Sequence, residues 1–142
     1  MDTSRRSAGR LFWASRPPSS GSPEIFSAAQ QAAEDFLRPG VNLSEVARVQ
    51  NDVFRAAGFG EYTTPKYTRV RGHNLGLHPD ENPHVLEDVD CEVNESMVVI
   101  AHPNTYLPLS GYMVFGDTLL VTAGGCESLS GTEKKLFVKE AE

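Results

Sequence analysis

The sequence predicts an α+β fold, with two helices packed on one face of a curved antiparallel sheet. Three observations carry this. Apolar residues recur at helical spacing twice within residues 23–57. The period is lost after Gly60. From Met97 onward, short apolar runs alternate with turn residues, the pattern of antiparallel strands. Helices followed by strands place the helices together against one side of the sheet.

The first helix opens at Ser22-Pro23-Glu24, which supplies an N-cap, a proline in the first turn and an early acid. Ile25, Ala29, Ala32, Ala33, Phe36 and Leu37 form its apolar stripe, and Pro39-Gly40 stops it. The alanines predict close packing against a neighbour. The second helix is capped by Asn42 with Glu45, while Val41 and Val46 stand where a hydrophobic staple closes. Val46, Val49, Val53, Phe54 and Ala57 face the core, and Gly58 is the left-handed residue that ends the helix. TRVRGHNLGLHPDENPHVLEDVDCEV has no helical period and reads as a long polar loop holding three of the four histidines. MVVIA, YMVF and TLLVT then read as strands, and CESLS runs back across Gly124-Gly125 as a hairpin partner. The expected divisions are 1–22, a disordered or remnant N-terminal segment; 23–132, the folded unit; and 133–142, a charged, frayed tail.

A chain of 142 residues is expected to form one domain with one core. Apolar residues make up 39% and charged residues 23%, an ordinary globular balance. The net charge of −6 disfavours a nucleic-acid face and an anionic membrane surface. No apolar run approaches the ~20 residues that cross a bilayer. The Arg- and Ser-rich start has only LFWA as an apolar segment, too short for a signal peptide. Two cysteines, Cys91 and Cys126, make neither a zinc pattern nor a disulfide framework, and read as reduced thiols of a cytoplasmic protein.

Candidate chemistry lies in His73, His78, Asp80, Glu81, His84, His102 and Asp117. Taken singly they are ambiguous. His73 and His78 are five apart in a loop, which fixes no shared face. His102 ends a buried strand just before Pro103-Asn104, and reads equally as a ligand, a base or the last residue before a turn. GHNLGL lacks the strand-before, helix-after setting of a dinucleotide fingerprint, and there is no nucleophile elbow, phosphate loop or HExxH.

Taken together, GHNLGLHPDENP, MVVIAHPNTYLP and GYMVFGDTLLVTAGGCESLS resemble, in order and spacing, the C-terminal half of the creatinase/aminopeptidase family. This is family M24, the pita-bread fold of Xaa-Pro aminopeptidases, prolidases and methionine aminopeptidases. The two helices before these motifs resemble that family too, so the likeness covers roughly Pro23 to Leu129. It implies a partial pita-bread fold. Members hold two divalent cations, often Mn, Co or Zn, on two aspartates, one histidine and two glutamates. The metals activate a bridging water that attacks the peptide carbonyl.

The resemblance also shows where this chain departs. The family's Gly-His-Gly-x-Gly-Leu matches Gly72-His73-Asn74-Leu75-Gly76-Leu77, so the histidine ligand is kept as His73. The family's Val-His-Glu falls on Pro79-Asp80-Glu81, which puts Asp80 in place of a substrate-facing histidine, with His78 two residues away. The first glutamate ligand falls on His102 and the second on Gly116, just before Asp117-Thr118. The two aspartates have no counterpart, Asp2 being the only acid before Glu24. An imidazole brings no negative charge and a glycine brings no ligand, so no metal or other cofactor is expected. His73, Asp80 and His102 become the candidate catalytic residues, and His78, Tyr106 and Asp117 the candidate ligand contacts. The expected function is that of a degenerate member with a small amide or peptide ligand. Two alternatives stand beside it: a fragment of an active hydrolase completed by upstream sequence, and a non-catalytic binding or assembly module. A homo-oligomer or a partner chain is expected to cover the exposed sheet.

Overall fold

A computed structural model describes residues 22–108, 110–134 and 137. Of the expected segment 1–22 only Ser22 is among them, and most of the expected tail lies outside the described residues.

Helix α1 runs Ser22–Phe36 and α2 runs Leu43–Ala56. The Asn42 side chain accepts the Ser44 N–H at 3.0 Å, and the Asn42 N–H donates to Glu45 Oε2 at 3.1 Å, so the capping box forms. Val41 and Val46 are both buried, as a staple requires. At the other end the Phe59 N–H donates to Phe54 O and the Gly58 N–H to Arg55 O, a Schellman closure around Gly58 at φ +84°. A 3-10 turn, Gly60–Thr63, follows.

Among the described residues seven strands follow: β1 Gly72–Asn74, β2 Glu81–His84, β3 Val98–Ala101, β4 Asn104–Leu107, β5 Gly111–Val114, β6 Asp117–Thr122 and β7 Gly125–Ser128. Five form one antiparallel sheet in the order β2-β1-β3-β6-β7, while β4 and β5 form a separate two-stranded ribbon. In β6 the alternation is complete: Asp117, Leu119 and Val121 are buried, and Thr118, Leu120 and Thr122 are half-buried. One sheet face, through Val99, Ala101, Leu119 and Val121, packs on Ala33, Leu37, Leu43, Val46 and Ala47 of the helices. A second cluster joins the start of α1 to the ribbon through Phe26, Ala29, Phe54, Leu107, Met113 and Phe115. The Phe26 and Phe54 rings meet edge-on at 5.2 Å.

The loop expected over residues 68–93 contains the β1–β2 hairpin. These strands are only three and four residues long, with a bulge between His73 and Asn74, so no alternation is legible. Pro83 lies inside β2, which is tolerated because β2 is at the edge of the sheet. Gly72 is required by close approach: a Cβ there would run into the Ile100 carbonyl oxygen.

Candidate functional site

The sheet register assembles the site. His73 of β1 pairs with Ile100 of β3 on one side and with His84 of β2 on the other, and Ile100 pairs with Thr118. His73, His84, Ile100 and Thr118 therefore share the face turned away from the helices. His102 follows β3, and its N–H donates to Arg71 O at 2.9 Å, which carries the ladder one step further. It has the parity of Ile100, so its ring joins the same face. The His73 and His102 rings lie 5.1 Å apart and those of His73 and His84 6.5 Å apart. The sequence left His73 and His84 on a loop; the β1–β2 hairpin brings them into one row with His102, which follows the strand β3.

Hydrogen bonds fix their orientation. His73 Nδ1 lies 3.0 Å from Asn74 O. A carbonyl only accepts, so Nδ1 carries the proton and a neutral His73 keeps its lone pair on Nε2. Asp80 Oδ1 is 3.0 Å from His84 Nε2 and 3.8 Å from His73 Nδ1, so this carboxylate bridges one end of the row. Burial, with Arg71 and His73 nearby, holds the His102 imidazole below its ordinary range and therefore neutral.

The other expected residues lie elsewhere. His78 is exposed at the tip of the β1–β2 hairpin, where its N–H donates to Glu81 Oε1 at 2.7 Å. Tyr106 is on the ribbon, its ring stacked 6.3 Å from Tyr67. Asp117 is buried on the helix side of the sheet. It accepts hydroxyls from Ser128, at 2.6 Å, and from Ser130, and caps the Thr118 N–H.

Arg71 was not anticipated. It is the largest fully buried side chain. Nε donates to Asn51 Oδ1 at 2.5 Å, and Nη1 to the carbonyls of Thr68, Val70 and Asn104 at 2.9–3.1 Å. Among the described residues no carboxylate touches it, and Glu87 reaches it only through Asn51. Burial pushes the guanidinium down to about 10. Asn104, turned so that its amide donates to His102 O and Val70 O, accepts from the Tyr112 hydroxyl. Arg71 and Asn104 thus pin the turn that presents His102. Its place directly before Gly72-His73 was the only signal, and nothing in the sequence marked it as buried.

The profile of metallopeptidase family M24 matches residues 10–123. The chain belongs to this family. It is 31% identical over 114 residues to an Xaa-Pro dipeptidase of Pyrococcus horikoshii, a match covering 80% of this chain and 31% of the relative. The solved prolidase of Pyrococcus horikoshii OT3 superposes with a TM-score of 0.73 at 30% identity, over 81% of this chain and 32% of that one. An X-Pro aminopeptidase of Thermotoga maritima gives 0.74 at 25% identity, over 82% and 32%. The fold is the pita-bread fold of these M24 peptidases, and this chain spans about a third of their length.

M24 prolidases use divalent metals, so the donor set can be tested for fit. A Cβ on Gly116 would lie 2.9 Å from His102 Cβ and 3.2 Å from Ala101 O, so a side chain there requires the two strands to shift apart. His102 is neutral, and the Arg71 cation sits one hydrogen bond behind the same turn. Among the described residues, no three His, Cys, Asp or Glu side chains converge on a point where a metal ion could be held. These residues do not fit a dinuclear, carboxylate-bridged centre.

Proposed function

We propose that this chain is a metal-free member of family M24 without metallopeptidase activity, a pseudoenzyme in that sense. It keeps a small-ligand site for an amide or short peptide at His73, His102 and Asp80. The observation that carries the reading is the contact of Gly116 with His102. By the family likeness, an imidazole and a glycine, packed so closely that a side chain at 116 would force a shift, stand where two metal-ligating glutamates belong. The orientation of His73 supports the ligand site, because its Nε2 lone pair suits an amide or amine N–H. His78, Tyr106 and Asp117, expected as ligand contacts, are not part of this site: His78 lies at the exposed hairpin tip, Tyr106 on the ribbon, and Asp117 on the helix side of the sheet, held by Ser128 and Ser130. Two free thiols, Cys91 and Cys126, support a cytoplasmic setting.

The test is metal analysis of the purified chain after equilibration with Mn, Co and Zn, together with an Xaa-Pro cleavage assay. Substoichiometric metal and no metal-stimulated cleavage are expected, both for the chain and for His102→Glu. Stoichiometric metal with cleavage would refute the reading. One observation favours a second reading. The chain spans only 31% of the relative's length, so further residues could complete an active hydrolase. Metal binding that appears only in a longer product would support that instead.

A further inference from the structure

We infer that the segment after β7 is a strap, latched to α1 by the Glu34–Lys134 ion pair, and that releasing the latch exposes the seam between α1 and β7 where Cys126 lies. The inference does not rest on the proposed ligand site, which is on the opposite face of the sheet.

The strap is fastened at two points of unequal strength. At its inner end the Leu129 N–H donates to Thr118 O at 2.8 Å and the Ser130 N–H to Ser128 Oγ at 3.3 Å, while the Ser130 hydroxyl donates to the buried Asp117 carboxylate. Gly131, Thr132 and Glu133 are exposed, and a Cβ on Gly131 would meet nothing within 4 Å. Packing therefore leaves the backbone able to turn at Gly131. At the outer end the Lys134 ammonium donates to Glu34 Oε2 at 2.7 Å.

Three features make this pair a latch rather than an ordinary surface salt bridge. Side-chain exposure is 21% for Lys134 and 12% for Glu34, the most enclosed ion pair among the described residues. Salt screens such a pair weakly, and either charge is costly to leave alone. Glu34 is oriented to receive the lysine, since its Oε1 accepts from Gln30 Nε2 at 3.1 Å. The last turn of α1 has no basic residue of its own, and Lys134 brings a cation to the end of the helix where the dipole favours one.

Cys126 lies at the same seam. It pairs with the buried Val121 and shares its face of the sheet, toward the helices. Its Sγ donates to the backbone oxygen of the same Glu34 at 3.3 Å. That oxygen is one of the last four of α1, which lack an amide partner inside the helix. Burial and the Glu34 charge disfavour the thiolate, and the Lys134 charge opposes them.

Those opposed signs give the test. The full chain is labelled with iodoacetamide near pH 8 for timed intervals and read by mass spectrometry at Cys126, with Cys91 as the internal reference. Lys134→Met removes the latch and is expected to speed Cys126 labelling by about fivefold or more, with Cys91 and the circular dichroism spectrum unchanged. Lys134→Arg is expected to keep the slow rate. A neighbouring charge that latches nothing has the opposite effect, because its loss only lowers the thiolate fraction. Slower or unchanged labelling of Lys134→Met therefore overturns the inference. Below the unfolding transition the labelling rate of that variant should be nearly independent of urea, since opening a strap exposes little surface. A rate that climbs steeply from the first addition of urea would mean that Cys126 reacts only through global unfolding, and overturns it as well.

Discussion

Gly116 lies so close to His102 that the smallest side chain at 116 would meet the imidazole-bearing carbon at 2.9 Å. The two positions are one steric unit across the ends of β3 and β6. Gly116→Ala should destabilise the chain by about 1–3 kcal/mol, the usual range for an overpacked site. In a His102→Gly background the cost should fall, though not to zero, because Ala101 O remains 3.2 Å away. Urea unfolding of the four proteins in this cycle measures the coupling. Additive losses would mean that the backbone separates there without strain.

His102 should give the fold a pH dependence. Its folded-state value is depressed from 6.5 by burial, so below 6.5 the unfolded chain takes up a proton that the folded chain resists. Stability is full above 6.5, falls as pH drops below it, and levels off once the folded imidazole is protonated. Glu87 is held below its ordinary 4.5 by Arg55, so its loss falls in a lower, separate window. His102→Gln should remove the upper phase alone, as read from unfolding midpoints between about pH 7.5 and 5.5.

Arg71 should be a net stabiliser despite its burial. A shift from 12.5 to about 10 corresponds to a charging cost on the order of 3 kcal/mol. Against this stand three charge-assisted N–H groups, that of Nε and the two of Nη1, shared among four acceptors and each worth about 1.5–3 kcal/mol, while Nη2 finds no partner among the described residues. The bonds prevail, and Arg71→Met should cost about 2–4 kcal/mol while loosening the His102 turn. Denaturant melts give the first effect, and His102 amide exchange gives the second. An unchanged melting profile would mean that water reaches the orphaned carbonyls.

Cys126 should be inert while the chain is folded. Burial pushes its thiol up to about 11, and its Sγ donates to Glu34 O at 3.3 Å. Alkylation near pH 8 should be roughly 100-fold slower in buffer than in denaturant, because only the thiolate reacts. Mass spectrometry of peptides after timed labelling reads this directly.

The parts of the fold legible in advance are those with a period or a cap. Asn42 with Glu45, Gly58, and the apolar run in TLLVT each reported a local backbone state that the packing left unchanged. Short strands were not legible. GHN and ENPH are too brief to alternate, and their pairing depends on β3, far along the chain. The site was half legible for the same reason. His73 and His102 stood out by type and position. Arg71 and Gly116 matter through what they touch across strands, and no pattern along the chain records that.

The Asp117 carboxylate has a consequence for how the chain opens. It grips Ser128 and Ser130 just where β6 and β7 would otherwise splay, while Gly124-Gly125 already joins their far ends. That hairpin is fastened like a belt, looped at one end and buckled at the other, and has no loose end from which to fray.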